Sequence, residues 1–181
     1  MSVNEKMTAI ADAIREKTGR TEPLTLDQMA QEIAGIQVGG GDDIYKQMVS
    51  GVPLEKFEVI ELETLRSFAF YSDNNIKEVY LPNCSKIGVQ VFRLCSGLKK
   101  VLFVAPPSNA CFVDCTALEA LILPSETFLT LVHNNTFARS SVENGTGFIY
   151  VPSALLETYK SATNWSVYAD QFRAIEGSEY E

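Results

Sequence analysis

The sequence predicts an α+β fold: a small solenoid of short parallel strands and turns, with a helical hairpin before it and a helical cap after it. A set of apolar residues recurs every 20 to 22 residues through the middle of the chain, which is typical of stacked repeat units. Three consecutive glycines separate this repeat from an N-terminal segment with helical periodicity. We therefore predict a helical module at residues 1–37, a linker at 38–43, the solenoid at 44–152 and a capping segment at 153–181.

Residues 1–37 are predicted to form two short helices. Gly19 and Gly35 follow the two apolar stripes, and Thr25 with Gln28 matches a capping box at the start of the second helix. The stripes form a candidate assembly face made of Met7, Ile10, Ile14, Leu26, Met29 and Ile33. A hairpin this small buries such stripes poorly, so we expect it to dock on a partner or to self-associate. The alternative is that it folds back on the rest of its own chain.

Three copies of the repeat begin at phenylalanines. They read FYSDNNIKEVYLP from Phe70, FRLCSGLKKVLFV from Phe92 and FVDCTALEALILP from Phe112. In each copy an aliphatic residue follows the Phe by six positions, and two more apolar residues come three and five positions later. The triplets are Ile76, Val79 and Leu81; Leu98, Val101 and Phe103; and Leu118, Leu121 and Leu123. Partial copies fit at Phe57 and Ile149, and each unit is expected to bury its apolar side on its neighbours.

The pattern weakens after the third copy. Residues 127–147 fit the repeat poorly, so a protruding loop is predicted there. Beyond it, Ser153 can cap a helix that carries Leu155, Leu156 and Tyr159, while Trp165, Tyr168 and Phe172 supply large apolar anchors. Because an open solenoid end exposes both core and strand edge, this last segment is predicted to cover the final repeat.

The strand residues between the inward positions should face outward. One outward column is Lys56, Glu78, Lys100, Ala120 and Phe148, whose first three members alternate in sign and could pair across strands. The next column is Glu58, Tyr80, Leu102, Ile122 and Tyr150. An exposed apolar ladder often marks an interface, so the candidate binding surface is Tyr80, Leu102, Ile122, Phe148 and Tyr150. Equally, the chain's own helices, at residues 42–50 or in the hairpin, could cover this face.

Composition excludes several classes of partner. The net charge of −8 disfavours binding to nucleic acid, which requires clustered Lys and Arg. The apolar runs are far shorter than the ~20 residues of a membrane span, so no membrane insertion is expected. The N-terminus lacks the apolar core of a signal peptide, so we expect synthesis in the bacterial cytoplasm and reduced thiols at the four cysteines.

Packing explains the candidate chemical groups better than catalysis does. Cys95 and Cys115 both follow their Phe by three positions, and a residue that recurs with the structural period is explained by the structure. Cys111 and Cys115 lack a second pair of ligands at zinc spacing, so no metal is predicted. Asp114 is interpreted as a solvated turn residue. The only histidine, His133, has no nucleophile signature nearby, and no phosphate or dinucleotide motif is present. We expect a non-enzyme without a cofactor.

The repeat resembles a known family. Its aromatic residue, nearby Cys, Leu-x-x-Val/Leu-x-Leu core and following Pro are similar to the BspA-type leucine-rich repeats of bacterial surface and phage proteins, which implies a leucine-rich-repeat solenoid. The ending, with Tyr150, Pro152, Trp165 and Tyr168, resembles the unit that often closes such arrays. Residues 10–19, IADAIREKTG, resemble a helical module at the start of tail-associated proteins of phages and prophages of Gram-positive bacteria.

These resemblances imply a non-enzymatic phage or prophage virion component at the tail tip, fibre or baseplate. It would bind a host-envelope ligand, either protein or cell-envelope glycan, or another virion protein, and would act as a homo-oligomer. One alternative is a bacterial surface adhesion or interaction repeat domain. Another is a cytosolic host-directed inhibitor or enzyme.

Overall fold

The computed structural model describes residues 53–181 and shows a parallel solenoid. Its main sheet has six strands in the order β1-β3-β5-β6-β7-β8: β1 (Lys56–Glu58), β3 (Glu78–Leu81), β5 (Lys100–Phe103), β6 (Ala120–Ile122), β7 (Phe148–Val151) and β8 (Phe172–Ala174). The strands β2 (Thr64–Leu65) and β4 (Lys86–Ile87) form a second, two-stranded parallel sheet. The predicted stack of short parallel strands is confirmed.

The alternation of apolar and polar residues determines which side of each strand is buried. In β3 the side chains of Val79 and Leu81 are buried, whereas Glu78 and Tyr80 face solvent. Val79 pairs with Val101 of β5, which in turn pairs with Leu121 of β6, so one register runs through the sheet. All nine residues of the three predicted inward triplets are buried. A slip by one residue would expose every one of them, and this fixes the register.

The repeated phenylalanines form a stacked ladder inside the solenoid. The ring centroids of Phe70 and Phe92 lie 5.5 Å apart, and those of Phe92 and Phe112 lie 5.4 Å apart, with interplanar angles of 13° and 15°. Phe57 of the first, partial copy meets Phe70 edge to face at 5.1 Å. Such aromatic contacts add about 0.5–1.5 kcal/mol each beyond the burial of their area.

The backbone turns sharply just after each ladder residue. Ser72, Leu94, Asp114 and Arg139 all have left-handed backbone conformations, with φ between 57° and 65°. This conformation costs a non-glycine residue roughly 1–2 kcal/mol. Hydrogen bonds between successive turns offset it: the N–H of Leu94 donates to the carbonyl of Val113 at 2.9 Å, and the N–H of Asp114 donates to Ala138 at 3.0 Å.

The prediction of a protruding loop at residues 127–147 is wrong for most of that segment. Phe137 is fully buried and stacks on Phe112 at 5.5 Å with an interplanar angle of 2°, so it forms a further rung of the ladder. Leu129, Leu131 and Val142 are also buried. The repeat is obscured because Phe137 follows Phe112 by 25 residues and because extra residues, including Gly145 with φ of 80°, separate Val142 from β7.

The predicted cap is present, and it also contributes a strand. The 3₁₀ helix η1 (Ser153–Leu155), the helix α1 (Leu156–Ser161) and the 3₁₀ helix η2 (Ser166–Gln171) lead to β8, which pairs with β7 in parallel. The side chain of Ser153 does not cap the helix. The backbone N–H of Ser153 donates to a carboxylate oxygen of Glu176 at 2.7 Å instead.

Two buried aromatic residues of the cap hold the preceding segment. The indole Nε1 of Trp165 donates to the carbonyl of Leu129 at 2.7 Å. The N–H of Leu129 donates to the hydroxyl of Tyr159 at 3.0 Å. Both backbone groups of Leu129 are therefore satisfied by the cap, and Trp165 and Tyr168 close the phenylalanine ladder against Phe137, at centroid distances of 6.0 and 5.1 Å.

The predicted N-terminal features lie outside the described residues. They comprise the hairpin at 1–37, the linker at 38–43, the helix at 42–50 and the candidate assembly face of Met7, Ile10, Ile14, Leu26, Met29 and Ile33.

Replacing the central ladder residue should destabilise the solenoid strongly. Phe112→Ala removes a fully buried ring that stacks on the rings of Phe92, Phe103 and Phe137, and we expect the free energy of unfolding to fall by about 3–5 kcal/mol, measured by urea denaturation. Phe68→Ala is the control, because that ring is 52% exposed and its loss should change stability by less than about 1 kcal/mol. Equal effects of the two changes would contradict the role of the ladder.

Candidate functional site

A concavity in the described part of the chain lies on the outer face of the main sheet. Strands β1, β3 and β5, with Ile122 at the edge on β6, supply its floor, and the last three residues of the C-terminal tail, which comprises residues 176–181, form one wall. The cavity has a volume of about 570 Å³. Its strand residues include Glu58, Glu78, Tyr80, Lys100 and Leu102, and its tail residues are Glu179, Tyr180 and Glu181. We call this cavity the outer groove.

The strand register brings the predicted outward residues into two columns. Glu58 pairs with Tyr80, Tyr80 with Leu102, Leu102 with Ile122, and Ile122 with Tyr150. The second column follows the same order and consists of Lys56, Glu78, Lys100, Ala120 and Phe148. All five residues of the candidate binding surface thus lie on one face of the sheet.

Of the two alternatives for the outward ladder, an exposed face or a covered one, the covered one holds at Ile122, which is only 2% exposed. The ring of Tyr180 meets Tyr150 of β7 edge to face at 4.5 Å, and the Nζ of Lys100 on β5 lies 4.8 Å from the centre of the same ring. Tyr180 therefore spans β6, the strand between them, whose outward side chains are Ala120 and Ile122. The C-terminal tail contributes to the cover, and no sequence motif had marked it.

The remaining ladder residues are covered to different degrees. Tyr80 is 39% exposed, and its neighbour Leu102 is half-buried on the floor of the groove. Phe148 is half-buried, with the guanidinium of Arg173 lying 4.3 Å from its ring centre. Tyr150 is half-buried against Tyr180. Tyr80 is therefore the exposed member of the candidate surface, and Leu102 is the half-buried member that lines the outer groove beside it.

The alternating charges of the outward column do not pair across the strands as predicted. Lys56 forms its ion pair within β1, with Glu58 at 2.7 Å, and this contact raises the pKa of the lysine. Lys100 lies against the ring of Tyr180. Ion pairs between neighbouring repeats form instead at the residues that directly precede the strands. Lys77 pairs with Glu55 at 2.5 Å, and Lys99 pairs with Glu119 at 3.1 Å.

A family model described as BspA type leucine rich repeat region (6 copies) matches residues 42–162. This chain belongs to that family. Leucine-rich repeat domains mediate protein–protein interaction, and the outer groove lies on the strand face of this one. No curated protein matches the chain in a sequence comparison. Among residues 53–181, no helix combines the length and the apolar character needed to cross a membrane.

The cysteines of this leucine-rich-repeat domain pack inside it. The thiols of Cys95 and Cys115 donate to the carbonyls of Phe70 and Phe92 of the preceding turn, at 2.8 and 2.9 Å. Burial raises the pKa of Cys95 to about 11 and that of Cys111 to about 12, and it raises the pKa of Cys115 further. Neutral thiols are poor nucleophiles and poor metal ligands. Within the described residues, no three potential ligand side chains cluster in a way that could hold a metal ion.

Asp114 is more than a solvated turn residue. It forms a bidentate ion pair with Arg139, at 2.7 Å to each carboxylate oxygen, and the guanidinium lowers the pKa of the carboxyl. Both residues occupy the left-handed position of their turn, so the pair links two successive turns. The fourth turn was not recognised in the sequence, and Arg139 was therefore missed as a partner.

The raised thiol pKa values predict a loss of stability at alkaline pH. The buried thiols stay neutral, whereas unfolded cysteines ionise near their ordinary pKa of 9.0, so the stabilisation is complete below pH 9 and is lost as pH rises toward 11 or 12. As pH rises, we expect the free energy of unfolding to fall less steeply for Cys95→Ala than for the wild type. At pH ~10 the wild type should have lost about 1 kcal/mol more than the variant, measured by urea denaturation, because the variant lacks this one thiol. Parallel curves for the two proteins would disprove it.

Removing the ring of Tyr180 should uncover β6. Tyr180→Ala breaks the contacts with Tyr150 and Lys100, and we expect a modest destabilisation of about 1 kcal/mol together with faster amide hydrogen exchange in β6. Tyr71→Ala is a suitable control because that side chain is 42% exposed. Unchanged exchange in β6 would show that the tail does not protect this strand.

Proposed function

We propose that this chain is a non-enzymatic interaction domain and that its outer groove binds a segment of a partner protein. The observation that carries the proposal is the exposed tyrosine of the groove. Tyr80 is 39% exposed beside Leu102, on a face whose continuation over β6 is closed by an aromatic side chain of the tail. Aromatic residues in partly enclosed positions are the usual anchors of protein interfaces.

The stiffness of the scaffold supports recognition by shape. Parallel pairing fixes β1, β3 and β5 side by side, and the phenylalanine ladder packs beneath them. Because the side chains of the groove stand on fixed strands, the groove loses little conformational entropy when a partner binds. The cavity of about 570 Å³ is large enough for a few side chains of a partner.

Binding rather than catalysis fits the chemistry of the lining. The groove is lined by carboxylates, lysines, tyrosines and apolar groups, and no serine, cysteine or histidine is among them. The buried thiols point into the core instead and form hydrogen bonds to backbone carbonyls. No serine, cysteine or histidine nucleophile is held against a base in this groove. The groove lysine that is held by a carboxylate, Lys56 beside Glu58, has a raised pKa, which disfavours the neutral amine that covalent catalysis requires.

Family membership favours a surface or interaction repeat domain over the more specific virion assignment. The virion hypothesis depends mainly on residues 10–19, which lie outside the described residues. Placement in a phage tail, synthesis in the bacterial cytoplasm, homo-oligomerisation and recognition of a cell-envelope glycan stay predictions. Mass spectrometry of purified particles after prophage induction tests the virion hypothesis directly, since absence of the chain from the particles would exclude it.

The groove itself can be tested without a known partner. A library of random linear peptides is selected on the wild-type chain, and each enriched peptide is then measured on Tyr80→Ala and Leu102→Ser. Because both side chains line the groove, we expect at least a tenfold loss of affinity for most enriched peptides, measured by fluorescence anisotropy.

Val167→Ala is the matched control, because that apolar side chain is 70% exposed and lies outside the groove lining. All three variants should keep the circular dichroism spectrum and unfolding midpoint of the wild type to within a few degrees. Enriched peptides that bind the Tyr80 and Leu102 variants as tightly as the wild type would show that the groove is not the recognition surface.

A further inference from the structure

The charge and the apolar floor of the outer groove restrict the kind of partner that fits it. We propose that the groove binds an extended segment of a partner protein in which lysine or arginine alternates with aromatic or aliphatic residues. This inference rests on the proposed function and adds the chemistry of the bound segment.

The chain's own tail demonstrates the apolar half of this recognition. Gly177, with φ of 78°, reverses the backbone after β8, and the tail then places Tyr180 on the outer face of the sheet. The ring is held by Tyr150 on one side and by Lys100 on the other. The tail itself runs in short turns, and the outer face accepts an aromatic side chain that a neighbouring segment presents to it.

The part of the face beside Tyr180 is open and has a matching surface. Tyr80 and Leu102 are direct neighbours in the strand register, and they continue the column that contains Ile122 and Tyr150. Neighbouring strands lie about 4.8 Å apart. A second apolar side chain can pack over Tyr80 and Leu102, as Tyr180 does over β6.

The rim of the groove is acidic. Four carboxylates line it, from Glu58, Glu78, Glu179 and Glu181, against the two ammonium groups of Lys56 and Lys100, which leaves two negative charges in excess. Both lysines are engaged, Lys56 by Glu58 and Lys100 by the ring of Tyr180. Within the described residues Glu78 and Glu179 form no ion pair, although Glu179 forms a hydrogen bond with the hydroxyl of Tyr180. Each carboxylate keeps its negative charge and acceptor lone pairs for the cationic side chains of a ligand.

The same charges exclude two other occupants. The tail of a second copy carries Glu176, Glu179 and Glu181 and no Lys or Arg, so it would be repelled by the acidic rim. A nucleic acid would be repelled likewise, since its phosphates require clustered positive charge. A basic segment alternating with apolar residues satisfies both parts of the surface, because the side chains of an extended chain alternate with a period of two.

The test uses two labelled synthetic peptides of about seven residues: one alternates lysine with tyrosine and leucine, and the other has glutamate in place of lysine. Fluorescence anisotropy should show at least tenfold tighter binding of the lysine peptide at ~50 mM NaCl, with the preference shrinking at ~500 mM as the charges are screened. Glu78→Gln and Glu179→Gln should each weaken binding of the lysine peptide roughly threefold. Glu157→Gln, at an 84% exposed side chain on α1, is the control and should leave the affinity unchanged.

Three results would overturn the inference in different ways. If both peptides bind equally and Tyr80→Ala abolishes binding, the charge preference is wrong while the groove remains the recognition surface. If the lysine peptide binds but Glu78→Gln, Glu179→Gln and Tyr80→Ala leave its affinity unchanged, it binds elsewhere and the inference is wrong. If neither peptide binds and library selection yields no peptide sensitive to Tyr80→Ala, the proposed function fails as well.

Discussion

Every turn of the solenoid depends on the contact between its buried phenylalanine and the phenylalanine of the turn before. The centroids of successive rings of Phe70, Phe92, Phe112 and Phe137 lie 5.4 to 5.5 Å apart, somewhat more than the roughly 4.8 Å between neighbouring strands. The left-handed residue two positions after each of the first three rings donates its N–H to a carbonyl of the next turn, whereas Arg139, two positions after Phe137, donates to the carboxylate of Glu143. The ladder therefore stabilises a turn conformation that a non-glycine residue adopts only at a cost.

The same stacking determines where functional side chains can lie. Because each turn repeats the last with a shift of one strand, outward residues at equivalent positions align into columns, and Tyr80 is directly beside Leu102. The shape of the outer face is thus set by the core beneath it. The thiols of Cys95 and Cys115 belong to this core, since each donates to the carbonyl of the ladder residue one turn earlier. In the first copy Asp73 stands at that position and accepts the N–H of Asn75 at 2.9 Å instead.

The sequence predicted the features that follow from periodicity. The inward triplets, the strand register and the column of Tyr80, Leu102, Ile122 and Tyr150 all follow from three aligned copies, because a period of two within strands and of 20 to 22 between them leaves few alternatives. The turn around Phe137 was missed because inserted residues shift its apolar positions out of that frame. The pairing of Asp114 with Arg139 was missed for the same reason, since its partner lies in the unrecognised turn.

The candidate site was predictable only in part, because one wall of it is not built from the repeat. Tyr180 lies beyond the last strand in a segment without periodicity, and nothing local to the sequence SEYE indicates which surface its ring will cover. Once the tail is in place, it divides the apolar ladder into a closed part at Ile122 and an open part at Tyr80 and Leu102, and it brings Glu179 to the rim. Burying Ile122 removes apolar area from water. The adjoining open surface is bordered by the tail, which adds the carboxylate of Glu179. The tail thus turns a uniform sheet face into a groove, and selectivity for a partner can arise only where that groove remains open.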